Sequence, residues 1–165
     1  MAYIRTKKIN NQFYAYLVES KSTSSGPRQK VKQYLGRVYT LEKTKEAISP
    51  KQPEPDSSKK ILSFLVLSEL EKIGFEKKRE VYIFKNLIFS PLNNSLTKKN
   101  KSKSPKEAII SLNDGFLCSF TLKRISDFKK TKDFNKDAYL LAKHFLEAGL
   151  PISQELFVLF YQQLK

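Results

Sequence analysis

The chain of 165 residues has few of the residues on which catalytic and metal sites depend. Cys118 is the only cysteine, His144 is the only histidine, and there is no tryptophan. A single cysteine excludes an internal disulfide and a cysteine-based metal cluster, and it favours a reduced, intracellular setting. The five glycines are scattered, which excludes a glycine-rich phosphate-binding loop. We therefore expect neither a metal ion nor a cofactor.

Long apolar segments are also absent. The longest, ILSFLVLSEL at 61–70, is interrupted by serines and is far too short to span a bilayer. The first residues, MAYIRTKKINN, lack the apolar core of a signal peptide. The sequence thus predicts a soluble, cytoplasmic protein that has no membrane partner.

Acidic residues are scarce relative to basic ones. Sixteen Asp and Glu stand against 31 Lys and Arg, which gives a formal net charge of +15. Such a surplus is typical of proteins with a polyanionic partner, above all a nucleic acid. The alternative is that the lysines only solvate the surface.

Three prolines divide the chain. They lie in SPKQPEPDSS, residues 49–58, which has no large hydrophobic residue and therefore predicts an extended linker. Before it, residues 1–48 are predicted to form a three-stranded antiparallel sheet and a short helix. After it, residues 59–165 are predicted to form an α+β domain with a helical C-terminal part and a mobile, lysine-rich loop at 93–106. The predicted fold class is α+β.

The first 40 residues predict strands at 3–8, 12–20 and 28–35. The first two are joined by a tight turn at Asn10-Asn11, and Thr40 is placed to cap a helix at 41–48. In the second region, Ser57 or Ser58 is expected to begin a helix that Gly74 ends. Ser153 is expected to cap the last helix of the chain.

Side chains alternate between the two faces of a strand, and this rule separates the N-terminal residues into two sets. One predicted face is basic and aromatic: Tyr3, Arg5, Lys7, Tyr14, Tyr16, Arg28, Lys30, Lys32 and Tyr34. The other is predicted to be an apolar floor: Ile4, Phe13, Ala15, Leu17, Val31 and Leu35.

The basic and aromatic face is the strongest functional signal in the sequence. Residues 1–40 contain eight Lys and Arg but one acid, Glu19. Cations neutralise phosphates, and tyrosine rings stack on bases or donate hydrogen bonds to the backbone. We expect Arg5, Lys7 and the cations of the third strand to bind phosphates, and Tyr14 and Tyr16 to stack. The competing interpretation is an ordinary solvated sheet surface.

Two segments of this region resemble a known module. YIRTKKINNQFYAYLVES followed by RQKVKQYLGRV is similar to the N-terminal β-meander of some prokaryotic DDE-type transposases, in which an aromatic YYYLVES strand precedes a basic RQKV..YLG strand. The resemblance covers residues 3–38 only and implies a small DNA-binding module. A transposase catalytic core also needs three separated carboxylates on a much longer chain, and nothing after Pro55 matches it. The resemblance therefore implies a binding module joined to a different domain.

Four lysines of the loop, Lys98, Lys99, Lys101 and Lys103, form a secondary candidate. They could embrace phosphates as a flexible arm, or they could simply be solvated. Cys118 could act as a nucleophile only with His144 as its base, and no third group to orient that base is evident. A buried, inert Cys118 and a histidine at the edge of a core are the simpler interpretations.

The sequence therefore predicts a non-catalytic nucleic-acid-binding protein. Its target is DNA or structured RNA, for example within a ribonucleoprotein. The alternative is a protein-interaction adaptor, for which the positive charge is background. In that case another protein docks on the tyrosines or on the C-terminal domain, through Phe157 and Phe160 of the last helix.

Overall fold

The computed structural model describes residues 2–24, 26–44, 57–99 and 104–164. Within them the protein is a mixed α+β structure, as the composition and patterning predicted. Its four helices are α1 (Ser58–Ile73), α2 (Ser119–Ser126), α3 (Phe134–Ala148) and α4 (Gln154–Gln162). Its nine strands are β1 (Ala2–Ile9), β2 (Gln12–Thr23), β3 (Gly26–Thr40), β4 (Glu76–Lys78), β5 (Val81–Phe84), β6 (Leu87–Ser90), β7 (Ser95–Lys98), β8 (Lys106–Leu112) and β9 (Gly115–Leu117).

The predicted N-terminal meander is confirmed. Strands β1, β2 and β3 are antiparallel neighbours, and Asn10 and Asn11 connect the first two with φ angles of +47° and +59°. Two successive positive φ angles give the turn whose twist matches that of a hairpin, and asparagine tolerates them better than most residues. Strands β2 and β3 extend beyond the part of β2 that pairs with β1. The far end of the meander is therefore a ribbon of two strands.

Two irregularities interrupt the pairing of β2 with β3. Ala15 lies opposite Gly36 but Tyr16 lies opposite Tyr34, and Leu17 lies opposite Gln33 but Val18 lies opposite Val31. At each step β3 contains one residue more than β2, first Leu35 and then Lys32. Each extra residue is a β-bulge, and it reverses the face on which the following side chains of β3 lie.

The meander belongs to a larger sheet. Its strand order is β1-β2-β3-β8-β7-β6-β5-β4, and β9 also pairs with β8. Residues 37–40 of β3 run parallel to residues 108–111 of β8, while the other pairs are antiparallel. Gly36, with φ +142°, comes directly before this junction, where a β-carbon would lie 2.8 Å from the carbonyl oxygen of Glu107. The close approach of the two chains therefore depends on glycine.

The predicted linker lies mostly outside the described residues, so the division into two domains stays a prediction. The predicted helix at 41–48 also falls partly outside, and its described part, residues 41–44, is not helical. This short segment is held against α1. Lys43 Nζ lies 2.8 Å from Glu69 Oε2, and the buried Glu69 also binds Lys72.

The predicted capping residues of α1 and α4 are confirmed. Ser57 caps α1, Gly74 ends it in the left-handed conformation, and Ser153 caps α4. One segment differs from expectation because of strand pairing. Residues 95–98, predicted to be loop, form β7 against β6.

Two groups of buried residues lie on opposite sides of β8. The larger core packs the four helices against β6–β9 and includes Ala108 and Ile110. The smaller one gathers Ala15, Leu35, Val38, Ile109 and Cys118. The alternation of Ala108, Ile109 and Ile110 between these groups shows that β8 is covered on both faces, as expected of a central strand.

Candidate nucleic-acid interface

The uncovered surface of the meander is built from rows of paired residues, because residues directly opposite each other in an antiparallel sheet lie on the same face. Lys7 pairs with Tyr14, which pairs with Arg37. Arg5 pairs with Tyr16, which pairs with Tyr34. A third row begins with Tyr3 and continues with two valines. We call this surface the tyrosine face; it comprises Tyr3, Arg5, Lys7, Tyr14, Tyr16, Val18, Val31, Tyr34 and Arg37.

Three tyrosine rings form a continuous patch at its centre. The centroid of Tyr34 lies 5.4 Å from that of Tyr16 and 6.3 Å from that of Tyr14. Tyr34 is 54% exposed, and the other two rings are half-buried. Aromatic pairs at these distances attract each other, so the patch is partly preformed. An exposed and preformed aromatic patch can receive another flat ring at little cost in conformational entropy.

Tyr34 is also held in its neutral form. Partial burial raises the pKa of its hydroxyl, and the neighbouring hydroxyls of Tyr14, Tyr16 and Tyr39 raise this pKa further. The hydroxyl therefore stays protonated above the pH at which a free tyrosine ionises. It remains a hydrogen-bond donor and does not add negative charge that would repel a phosphate.

The cations of the tyrosine face are not paired with carboxylates in the part of the chain that the structure describes. There, Arg5, Lys7 and Arg37 form no salt bridge. Arg5 donates to the side chain of Gln29, which in turn donates to the hydroxyl of Tyr3. These bonds fix the position of the guanidinium but leave its charge uncompensated, which suits the binding of an anion.

The prediction that Arg28, Lys30 and Lys32 share a face with the tyrosines is wrong. Lys30 pairs with Glu19, and Arg28 pairs with Lys21, on the opposite face of the ribbon. Lys32 also turns to that side, where its Nζ lies 2.9 Å from Glu19 Oε2. The hydrogen bond from Lys32 lowers the pKa of this carboxyl group. The bulge at Lys32 separates Arg28 and Lys30 from Tyr34, because it shifts the alternation of β3 by one residue. The register with β2 separates them from Tyr14 and Tyr16, because both lie opposite β2 residues of the other face.

The apolar floor on the other face is confirmed in part. Ala15 and Leu35 are buried there, and Ile4 and Leu17 pack against them. Val31 belongs instead to the tyrosine face, where it lies opposite Val18, and is 59% exposed. Two phenylalanines at the start of β9 and in α2 cover the floor, namely Phe116 and Phe120.

The secondary basic loop is only partly described. Lys98 ends β7, and its Nζ lies 5.7 Å from the ring centroid of Tyr39. Lys99 is exposed, whereas Lys101 and Lys103 lie outside the described residues. The sheet thus brings Lys98 next to the meander, a proximity that sequence spacing alone does not reveal.

Sequence reasoning missed three residues of this surface. Arg37 and Tyr39 follow Gly36 in β3, and Lys106 begins β8. Extending the alternation of β3 beyond Leu35 places Arg37 and Tyr39 on the apolar floor; they share a side with Tyr34 because of the bulge at Leu35. Lys106 could not be found either, because only the pairing of β8 with β3 and β7 brings it near.

The two enzymatic candidates, Cys118 and His144, are both buried. Cys118 is buried, and burial raises the pKa of its thiol despite hydrogen bonds with Thr121. A protonated thiol is a poor nucleophile. His144 is also buried; its ring packs on Phe128, and its Nδ1 lies 3.7 Å from Glu147. The described part of the chain holds no cluster of His, Cys, Asp and Glu that could bind a metal ion.

The C-terminal phenylalanines contribute mainly to the core. Phe160 is buried, with its ring centroid 5.1 Å from that of Phe145, and Phe157 packs on the same ring. The adaptor hypothesis supposed that Phe160 docks a partner. Because Phe160 is buried, it is not available for this. Making it polar would damage the core and would not test an interface.

Among the described residues, none of the helices is both long and apolar enough to cross a membrane. Comparison with protein-family models, with curated proteins and with solved structures finds no match for this chain.

Proposed function

We propose that this protein is a non-catalytic nucleic-acid-binding protein and that the tyrosine face is its binding surface. One observation carries the proposal: the continuous patch of Tyr14, Tyr16 and Tyr34 lies in cross-strand rows with cations that form no salt bridge within the described residues. Aromatic side chains stack on bases, and unpaired cations bind phosphates and release counterions. The formal net charge of +15 would add long-range attraction.

The proposal includes a cytoplasmic location and a target that is DNA or RNA. The resemblance of residues 3–38 to a transposase β-meander favours DNA, whereas an aromatic patch on a sheet is equally suited to RNA. The revised set of phosphate-binding residues is Arg5, Lys7 and Arg37. It excludes Arg28, Lys30 and Lys32, which lie on the other face.

The test measures the binding of labelled single-stranded DNA, duplex DNA and structured RNA across a salt series. Fluorescence anisotropy reports the binding. Tyr34→Ser should weaken binding roughly 5- to 100-fold, the range found when a stacking residue is removed. Tyr139→Ser is the matched control, because Tyr139 is 67% exposed on α3 and remote in sequence from the meander. It should leave affinity unchanged.

A second pair of variants separates the two faces. Arg5→Ala/Lys7→Ala should weaken binding and flatten its dependence on salt, by about one unit of slope for each lost phosphate contact. Arg28→Ala/Lys30→Ala removes the same charge from the opposite face and should have a much smaller effect. The proposal fails if the wild type binds none of the three ligands at low salt. It also fails if both double variants weaken binding equally, because the positive charge would then attract nucleic acid without a defined binding surface. Binding of another protein that withstands high salt would support the adaptor hypothesis instead.

A further inference from the structure

A cleft of about 570 Å³ opens at the end of the tyrosine face, where the meander meets β7 and β8. Its walls carry three tyrosines and three cations: Tyr14, Tyr34, Tyr39, Arg37, Lys98 and Lys106. Cavities that hold small ligands span roughly 300–1,000 Å³. The cleft therefore has room for a nucleotide, whereas a double helix could not enter it.

The cleft exists because β3 and β8 join only from Arg37 onward. Just before that point lies Gly36, which has no side chain and is itself part of the lining. Beyond it, β8 pairs through Glu107 and Lys106 with β7. Gly36 lines this space, and a β-carbon there would lie 2.8 Å from the carbonyl oxygen of Glu107.

Positive charge converges in this space. The guanidinium of Arg37 lies 5.1 Å from the ring centroid of Tyr39, and the ammonium group of Lys98 lies 5.7 Å from the same centroid. In the described part of the chain neither cation has a salt bridge. Arg37 Nε is buried and has no hydrogen-bond partner among the described residues, which is costly unless a ligand supplies an acceptor.

One carboxylate, that of Glu107, also lines the cleft. It accepts a hydrogen bond of 2.8 Å from the hydroxyl of Ser119. With three cations and one carboxylate the lining keeps a formal surplus of two positive charges. Two cations beside one aromatic ring repel each other, so an anion between them would relieve this repulsion as well as satisfy Arg37.

We infer that this cleft binds one unpaired nucleotide of a nucleic-acid strand, with its phosphate on Arg37 and Lys98 and its base against Tyr14 and Tyr34. The inference rests on the proposed function and narrows it, because a base that enters the cleft must first leave any double helix. Unpairing a base costs free energy, so the protein should select single strands over duplexes.

The experiment compares binding of a labelled oligothymidylate with binding of a duplex of the same length, at equal ionic strength. Lys98→Ala/Lys106→Ala removes two cleft cations. Lys77→Ala/Lys78→Ala removes the same charge from β4, at the opposite edge of the sheet, and is the matched control. Circular dichroism melting curves verify that both variants are folded.

We expect the wild type to prefer the single strand, and the cleft variant to lose about tenfold or more of its single-strand affinity, with little change for the duplex. The control should retain the preference. A photo-crosslink from a strand containing bromodeoxyuridine should map to Tyr14, Tyr34 or Tyr39.

If the wild type binds duplex and single strand equally and the cleft variant matches the control, the inference is overturned. The proposed function would survive that result if Tyr34→Ser and Arg5→Ala/Lys7→Ala still weaken binding. If the wild type binds no nucleic acid, both fail.

Discussion

At the scale of single residues, Gly36 has the most constrained position in the meander. Its φ of +142° is a conformation that L-residues rarely adopt, and a β-carbon would lie 2.8 Å from the carbonyl oxygen of Glu107 and 3.3 Å from its carbonyl carbon. Because both neighbours are backbone atoms, a rotamer change cannot relieve the overlap. The residue thus controls the junction of β3 with β8, and it lines the cleft.

Replacement Gly36→Ala should destabilise the protein by roughly 1–3 kcal/mol, from strain at φ and from displacement of the Glu107 backbone. The free energy of unfolding is measured by urea denaturation. Gly26→Ala is the control, because Gly26 also has a positive φ, +98°, but its β-carbon would meet no atom within 4 Å. Equal losses for the two variants would mean that the close approach to Glu107 contributes nothing.

At the scale of elements, the two bulges of β3 decide which residues meet. Between Leu35 and the C-terminal end of β3, the strand pairs with β2 without a bulge, and Val38 lies opposite Phe13. Had that register continued, Glu19 would lie opposite Lys32, and Arg28, Lys30 and Lys32 would have different neighbours. Simple alternation along a strand cannot anticipate this, because a bulge leaves no distinctive mark in the sequence here.

The bulges predict a specific set of cross-strand contacts in solution. Nuclear Overhauser spectra should show backbone contacts between Val18 and Val31 and between Glu19 and Lys30. Without bulges, Val18 would instead contact Gln33, and Glu19 would contact Lys32. Contacts from Phe13 to Val38 serve as the internal control, since both registers share that pair. Observation of the unbroken register would place Tyr34 opposite Leu17, off the tyrosine face, and would contradict the site built around Tyr34.

At the scale of the whole molecule, the parallel pairing of β3 with β8 makes the meander part of a single nine-stranded sheet. Parallel neighbours must be joined by a crossover, and here the crossover includes α1 and β4–β7. The meander buries few residues of its own, and its small core includes Ile109 of β8 and Cys118. We therefore expect its stability to depend on the remainder of the chain.

Denaturant unfolding should consequently be one cooperative transition. Tyrosine fluorescence reports mainly on the meander, because five of the eight tyrosines lie in residues 1–40. Circular dichroism at the helical minimum reports on α1–α4, which lie outside it. The two curves should coincide, as two-state unfolding requires. Separate midpoints would instead support two domains on either side of residues 49–58.

The sequence by itself determined the local structure. The Asn10-Asn11 turn, the three strands, the caps at Ser57 and Ser153 and the terminating Gly74 follow from conformational preferences of a few adjacent residues. It also determined that cations and tyrosines are concentrated before residue 41, because composition does not depend on folding.

Only the tertiary structure decided which of these residues share a surface. The register of β3 with β2, including its bulges, separated Arg28, Lys30 and Lys32 from the tyrosines, and the pairing of β3 with β8 brought in Lys98 and Lys106. Both effects depend on hydrogen bonds between segments far apart in the chain. The physical reason is that the face of a strand is fixed by its register with a partner strand, and register is a property of the pair.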